Sequence, residues 1–233
     1  MIRLAKYIAG AGYCSRRAAC RLIEAGEVLL NGRPALHTDR VSLNDQVVVQ
    51  GQRLKPVTEY HYFLFNKPVG VDCVCNPSDP DSILHFMPSG EGIPRLFPVG
   101  RLDKDSHGLM LLTNHGELCQ RLLHPDFYHE KEYRVVVDQP LTEGFFRAMA
   151  AGVEYGGIQT RPCQIYRVND RCFNIILTQG LNRQIRRMCK ALGYKVVDLQ
   201  RVRLMSICLS DLPCSYFRVL TAEELQLLFS LLV

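Results

Sequence analysis

Apolar residues follow two different periods along this chain. Residues 16–25 repeat them at helical spacing: at about 100° per residue, Ala18, Ala19, Leu22 and Ile23 fall on one side, and Arg16, Arg17 and Arg21 on the other. Ser15 stands where a helix is capped and Gly26 where one stops, so the pattern predicts a helix of just under three turns. A strand over Val28–Leu30, the turn pair Asn31-Gly32 and a strand over Val47–Val49 follow, and this small helical and β unit is expected to end near Gln52.

The stretch from 53 to 60 contains Pro56 and has no periodicity, which reads as a linker. Beyond it, residues 62–65 form a strand pattern that Lys67-Pro68-Val69-Gly70 stops. Further β-type runs at 133–137, 172–178 and 201–209 alternate irregularly with helical segments near 114–123, 142–151 and 183–192. In the last of these helices Ile185, Met188, Cys189 and Leu192 form an apolar stripe, with Arg183, Arg186, Arg187 and Lys190 nearly opposite and Gly193 as the stop. A final helix opens with Thr221 and Glu224 at capping-box spacing and places Leu225, Leu228, Phe229 and Leu232 on one face. This order predicts an α+β protein without repeating βαβ units. Its expected division is a small unit at 1–52, a linker at 53–60 and a main domain at 61–233.

Composition narrows the class. With 47% hydrophobic and 22% charged residues among 233, the chain can bury a core without staples. Its ten cysteines lack a framework spacing, its N-terminus is not signal-like and no apolar run reaches the roughly 18 residues of a membrane span, so reduced thiols, the cytoplasm and no membrane partner are expected. The charge of +5 is unevenly placed. Residues 1–55 hold nine Lys/Arg against four Asp/Glu, while 181–203 hold seven basic side chains against Asp198 alone. Two basic surfaces on an otherwise balanced body point to nucleic acid held at two places.

The main domain's chemistry gathers in GRLDKDSHGL at 100–109 and QGLNRQIRRM at 179–188. Asp103 follows an apolar run and Gly100, where a strand ends and the backbone turns, a usual position for a catalytic carboxylate. Asp103, Asp105 and His107 alternate and invite a metal-site reading, but two-metal sites draw carboxylates from several segments and no second cluster of that kind occurs. Cys73 and Cys75 near His61 and His85 make a poor zinc signature without a second Cys pair.

Residues 3–35, RLAKYIAGAGYCSRRAACRLIEAGEVLLNGRPA, resemble an S4 RNA-binding domain. The resemblance implies phosphate contacts for Arg3, Lys6, Arg16 and Arg17. Lys67-Pro68-Val69-Gly70, GRLDKDSHGLMLLTN at 100–114, EKEYRVVV at 130–137 and QGLNRQIRRM at 179–188 resemble the RsuA-type branch of the pseudouridine synthases. The likeness implies a catalytic domain built on a mixed, mainly antiparallel sheet with flanking helices. It also implies an isomerase that flips a uridine out of its stack and needs neither cofactor nor metal.

In that reading Asp103 attacks C1′ or takes a proton from C2′, and Arg186 keeps the carboxylate ionised from within about 4–6 Å. Tyr133 stacks on the base and serves the C5 proton transfer. Arg101 fills the vacated stack or holds a flanking phosphate, Lys104 contacts the RNA backbone, and Leu102, Arg183, Gln184 and Ile185 complete an RNA-facing site. Ile185 and Leu204 are expected to floor the pocket. The family implies a monomer and, as partner RNA, a 23S rRNA stem-loop near the peptidyl transferase centre, with a tRNA anticodon loop as a second target. The competing reading is a non-catalytic RNA-binding assembly factor that keeps the S4 surface.

Overall fold

The structure is a computed structural model that describes every residue except Leu43 and Val233. Two compact units divide the chain: Met1–His61 with Pro88–Phe97 and Thr113–Gly116, and Tyr62–Met87 with Pro98–Leu112 and Glu117–Val233.

In the first unit the expected helix spans Arg16–Glu24, with the Ser15 hydroxyl accepting from the Ala18 N–H and Gly26 in a left-handed conformation just past its end. Ala19 and Ile23 are buried while Arg16, Arg17 and Arg21 are exposed, so the two faces divide as the periodicity requires. The strands Val28–Leu30 and Val47–Val49 pair antiparallel, joined on their outer sides by Arg33–Pro34 and Gln52–Arg53. Asn31 and Gly32 both take positive φ, as a two-residue hairpin turn demands. The core extends to Leu54, whose N–H bonds the Val47 carbonyl. A first helix, Leu4–Gly10, carries no start signal: its cap residue Arg3 makes no side-chain cap bond, and only Leu4 and Ile8 are buried.

The second unit is built on a mixed, mainly antiparallel sheet. Across it run Gln164–Asn169, Cys172–Leu177, Lys131–Val137, Val196–Leu204, His107–Thr113, Tyr62–Lys67 and Phe217–Val219. Val196–Leu204 and His107–Thr113 are parallel, with Arg201 opposite Gly108. That crossing requires glycine: a Cβ on Gly108, whose φ is +102°, would lie 2.3 Å from the Arg201 carbonyl oxygen. Helices Glu143–Ala151 and Gln184–Ala191 cover Val135, Phe173 and Ile175, while Gly116–Leu123 and Ala222–Ser230 cover Leu64, Leu109 and Ile207.

Two expectations change here. The run at 201–209 is not one strand: Val196–Leu204 begins earlier and turns at Met205, which has φ 51°, into Ile207–Cys208. No Gly or Asn marks that turn. The capping box of the last helix is formed at Thr221 and Glu224, but Phe229 is 41% exposed and the buried line is Leu228 and Leu232 with Leu225 beside it.

Candidate active site

Asp103 lies in the irregular segment that precedes His107–Thr113, and the backbone on both sides of it is tied down. The Leu102 N–H bonds the buried Cys73 sulfur at 3.3 Å, Gly70 N–H bonds the Lys104 carbonyl at 2.8 Å, and Ser106 N–H bonds the Asp103 carbonyl at 3.0 Å. Beneath the segment Lys67 is fully buried, and its ammonium donates to the Ser106 and Pro68 carbonyls at 2.7 and 2.9 Å. Burial pushes this ammonium below the ordinary lysine range, against the nearby Cys73, Asp72, Asp105 and Asp103. A buried cation with two carbonyls fixes the course of the chain at Ser106, three residues past the carboxylate.

The arginines of 183–187 arrive from the other side. Arg183 holds a left-handed conformation as the cap residue of Gln184–Ala191, and its guanidinium grips Asp105 with two bonds of 3.0 and 2.7 Å. That fork holds the Asp105 carboxyl below the usual carboxylate range, burial opposing and Arg186 adding to the effect. Among the described residues Arg183 is the cation in ion-pair contact with Asp103, 3.7 Å from its carboxylate. Arg186 instead donates to the Asp105 carbonyl at 2.7 Å and the Ser106 hydroxyl at 3.1 Å, with its Nε 3.4 Å from the Asp105 carboxylate. Position on the helix divides the work: Arg186, turned inward, meets the segment's backbone and the Asp105 carboxylate, while Arg183 at the helix start reaches both Asp103 and Asp105.

An open cleft of about 770 Å³ joins these residues, within the range of small-ligand sites. Asp103, Arg101, Leu102, Lys104 and Tyr133 line it, as do Arg183, Gln184 and Ile185. Tyr133 stands on Lys131–Val137, half-buried, with one side against the core that contains Val135 and Ile175. Gln184 is buried and its side chain accepts from the Leu181 N–H, which makes it a support of the loop more than an exposed contact. Leu204 does not floor the cleft: it belongs to the core around Leu64 and Ile207, and the apolar wall is made by Leu177, Ile185 and Leu199. Lys104 pairs with Asp81 at 2.7 Å.

Sequence reasoning missed three cations in this cleft, Arg161, Arg201 and Lys131. Arg201 is buried, donating from Nε to the Leu109 carbonyl at 2.7 Å, and stands opposite Tyr133 in the sheet register. Lys131 donates to the His129 carbonyl at 2.9 Å; burial first, then Arg201, lowers the pKa of its ammonium. Lys131 shares Tyr133's strand face two residues away, and that spacing was the available signal. The alternating acids do not converge: His107 turns to Asp198 at 2.9 Å and Asp105 to the arginines. Among the described residues no three His, Cys, Asp or Glu side chains gather as a metal set, and none of the helices is long and apolar enough to cross a membrane. All ten cysteines are free thiols. In the other unit Arg3, Arg16 and Arg17 are exposed, and Lys6 lies on Leu4–Gly10.

Residues 61–191 match the RNA pseudouridylate synthase family, and residues 2–47 match the S4 domain. The chain is 46% identical to the dual-specificity RNA pseudouridine synthase RluF of Escherichia coli (strain K12), over 99% of this chain and 79% of that one. It is 33% identical to ribosomal large subunit pseudouridine synthase B of Bacillus subtilis (strain 168), over 99% and 97%. A solved pseudouridylate synthase superposes with a TM-score of 0.71 at 31% identity, covering 98% of this chain and all of that one. With its S4 domain ahead of a synthase domain, this chain belongs to the RsuA-type branch of the RNA pseudouridine synthases, isomerases that act on RNA.

Proposed function

We propose that the chain isomerises a uridine to pseudouridine in a 23S rRNA stem-loop near the peptidyl transferase centre, and a second uridine in a tRNA anticodon loop. Support for two RNA substrates comes from the 46%-identical relative, whose name carries dual specificity. The observation that carries the chemistry is a half-buried Asp103 carboxylate opening into the cleft that Tyr133 lines, with the Arg183 cation 3.7 Å away. Asp103 acts either on C1′ as nucleophile or on C2′ as base, and the N1–C1′ bond breaks. The uracil turns against the Tyr133 ring, C5 joins C1′, and the C5 proton leaves as N1 gains one, so atoms and electrons balance without a redox partner. Arg186 serves by fixing the 105–106 backbone, and Arg183 supplies the charge beside the carboxylate.

Arg101 and Lys104 meet the RNA beside the flipped nucleotide, Leu102 and Ile185 wall the pocket, and Gln184 props the 181–184 turn. In the division proposed here, residues 1–52 are the RNA-binding domain, 53–60 the linker and 61–233 the catalytic domain. Arg3, Lys6, Arg16 and Arg17 then hold phosphates, and a monomer works in the cytoplasm.

The test is carbodiimide-block primer extension across rRNA and tRNA from cells lacking the protein, complemented with wild type or Asp103→Asn. A site in 23S rRNA and one in tRNA should vanish on deletion and return with wild type alone. If every pseudouridine persists and Asp103→Asn repairs the growth defect, the protein is a non-catalytic assembly factor.

A further inference from the structure

One wall of the cleft carries a group that the synthase chemistry does not use. Arg161 lines the cleft, and its guanidinium lies 4.3 Å above the ring of Tyr128. Among the described residues the Arg161 side chain has no hydrogen bond and no ion pair, and its Nη1 is shielded from solvent without any acceptor. Buried N–H groups without partners are uncommon in folded proteins, and this one marks a cation for which the described residues supply no anion. Among the described residues no hydrogen bond or ion pair of the guanidinium has to break for it to meet an incoming acceptor.

The ring is as unusual as the cation. Tyr128 ends the turn Pro125–Phe127 in a left-handed conformation, φ 54° and ψ 32°, which a bulky aromatic residue seldom takes. Tyr128 as a residue is 55% exposed. Phe127 beside it is 49% exposed and stacks on His129 at 5.6 Å and 18°, and His124 and Pro125 of the same turn line the cleft. The turn thus presents an exposed aromatic residue beside a guanidinium that has no hydrogen-bond partner among the described residues. Aromatic rings that take unstacked bases, alternating with cations that take phosphates, are how single-stranded nucleic acid is held.

We propose that Tyr128 and Arg161 form a binding site for the unpaired nucleotide next to the target uridine, the base stacking on the exposed tyrosine ring and the phosphate meeting Arg161. The inference rests on the synthase reading above and adds to it a neighbour-nucleotide site. Its consequence is selection: a target uridine in a loop, with an unstacked neighbour, gains this contact, and a uridine flanked by paired bases does not.

Tritium release from [5-³H]uridine-labelled rRNA and tRNA of a deletion strain measures turnover. Kinetics then use the stem-loop carrying the site that wild type modifies. Asparagine tolerates a left-handed backbone, so Tyr128→Asn removes the ring while keeping the turn. We expect KM to rise about ten-fold or more, the span of one base-stacking contact, with kcat and melting temperature unchanged. Tyr128→Phe should restore KM, and Arg161→Ala should raise it while lowering the salt slope by about one phosphate contact. A stem-loop made abasic at the neighbouring position should weaken wild type and leave Tyr128→Asn indifferent.

An active wild type whose KM is unmoved by Tyr128→Asn overturns this inference alone. So does a Tyr128→Asn protein that loses stability and affinity together, since the ring would then be a packing element. No tritium release by wild type overturns the synthase reading, and this inference with it.

Discussion

The segment 100–106 and the helix Arg16–Glu24 both carry charge proposed above to meet RNA, and they hold it in opposite ways. Around Asp103 the surrounding polar groups are largely engaged: Lys67, Cys73, Arg183 and Arg186 tie the backbone and the neighbouring carboxylate from three separate elements. On the helix, Arg16 and Arg17 are exposed, and among the described residues their side chains make no hydrogen bond or ion pair. Chemistry on one atom needs a group held in place before substrate arrives, because misplacement by about 1 Å is costly. Attraction to a line of phosphates needs only net charge within a Debye length, and mobile side chains follow the RNA better than fixed ones.

Substitutions at the two regions should therefore fail differently. The largest effect belongs to Asp103→Asn. Tritium release should fall by more than about 10³-fold, as when a reacting group is removed, with a melting temperature near that of wild type. Next comes Gly108→Ala, where a methyl group is driven against the Arg201 carbonyl; urea unfolding should show a loss of about 3 kcal/mol or more, and activity should fall with it. Arg186→Ala removes the bonds to Asp105 and Ser106, and a loss of about 1–3 kcal/mol is expected. Arg186→Lys should recover little, since one ammonium cannot reach the Asp105, Ser106 and Val196 acceptors together.

On the helix the pattern inverts. Arg16→Ala combined with Arg17→Ala should leave kcat and stability alone and make the slope of log K against log salt shallower by roughly 1.4–1.8, about 0.7–0.9 for each phosphate no longer neutralised. The smallest effect is electrostatic. Arg183 depresses the Asp105 pKa in the folded protein, so the stabilisation is fully present above the unfolded carboxylate pKa of about 3.9 and is lost as pH falls through the lower folded value. The stability gap between wild type and Arg183→Ala should shrink on acidification below about pH 4, and a gap constant from pH 7 to pH 3 would assign Arg183 no electrostatic share.

How much of this could be read from the residues alone follows the same division. The helix capped by Ser15, the Asn31-Gly32 hairpin and the capping box at Thr221 are local patterns, written within a few positions, and all were readable. Elements without a local mark escaped: Leu4–Gly10 has no cap, and the exposed edge strand Gln164–Asn169 has no apolar alternation. In the site, the motifs named Asp103, Tyr133 and the arginines but could not say which arginine meets which carboxylate. That depends on the pairing of Arg183 and Arg186 with residues about eighty positions away. Lys131 and Arg201 entered the cleft unannounced because their presence depends on strand register and burial.

One consequence of the Asp103 segment concerns how such an enzyme can diversify. Its path is fixed by main-chain contacts at 102, 104, 105 and 106, made to Cys73, Gly70, Arg186 and Lys67. The side chains of Arg101 and Lys104 are not among the anchors, and both are exposed. The scaffold thus separates the Asp103 carboxylate, proposed above as the reacting group, from two exposed side chains that do not anchor its path. On the proposed function, substitutions at 101 and 104 change the RNA contacts and, apart from the Lys104–Asp81 pair, leave the bonds that hold the 102–106 backbone in place.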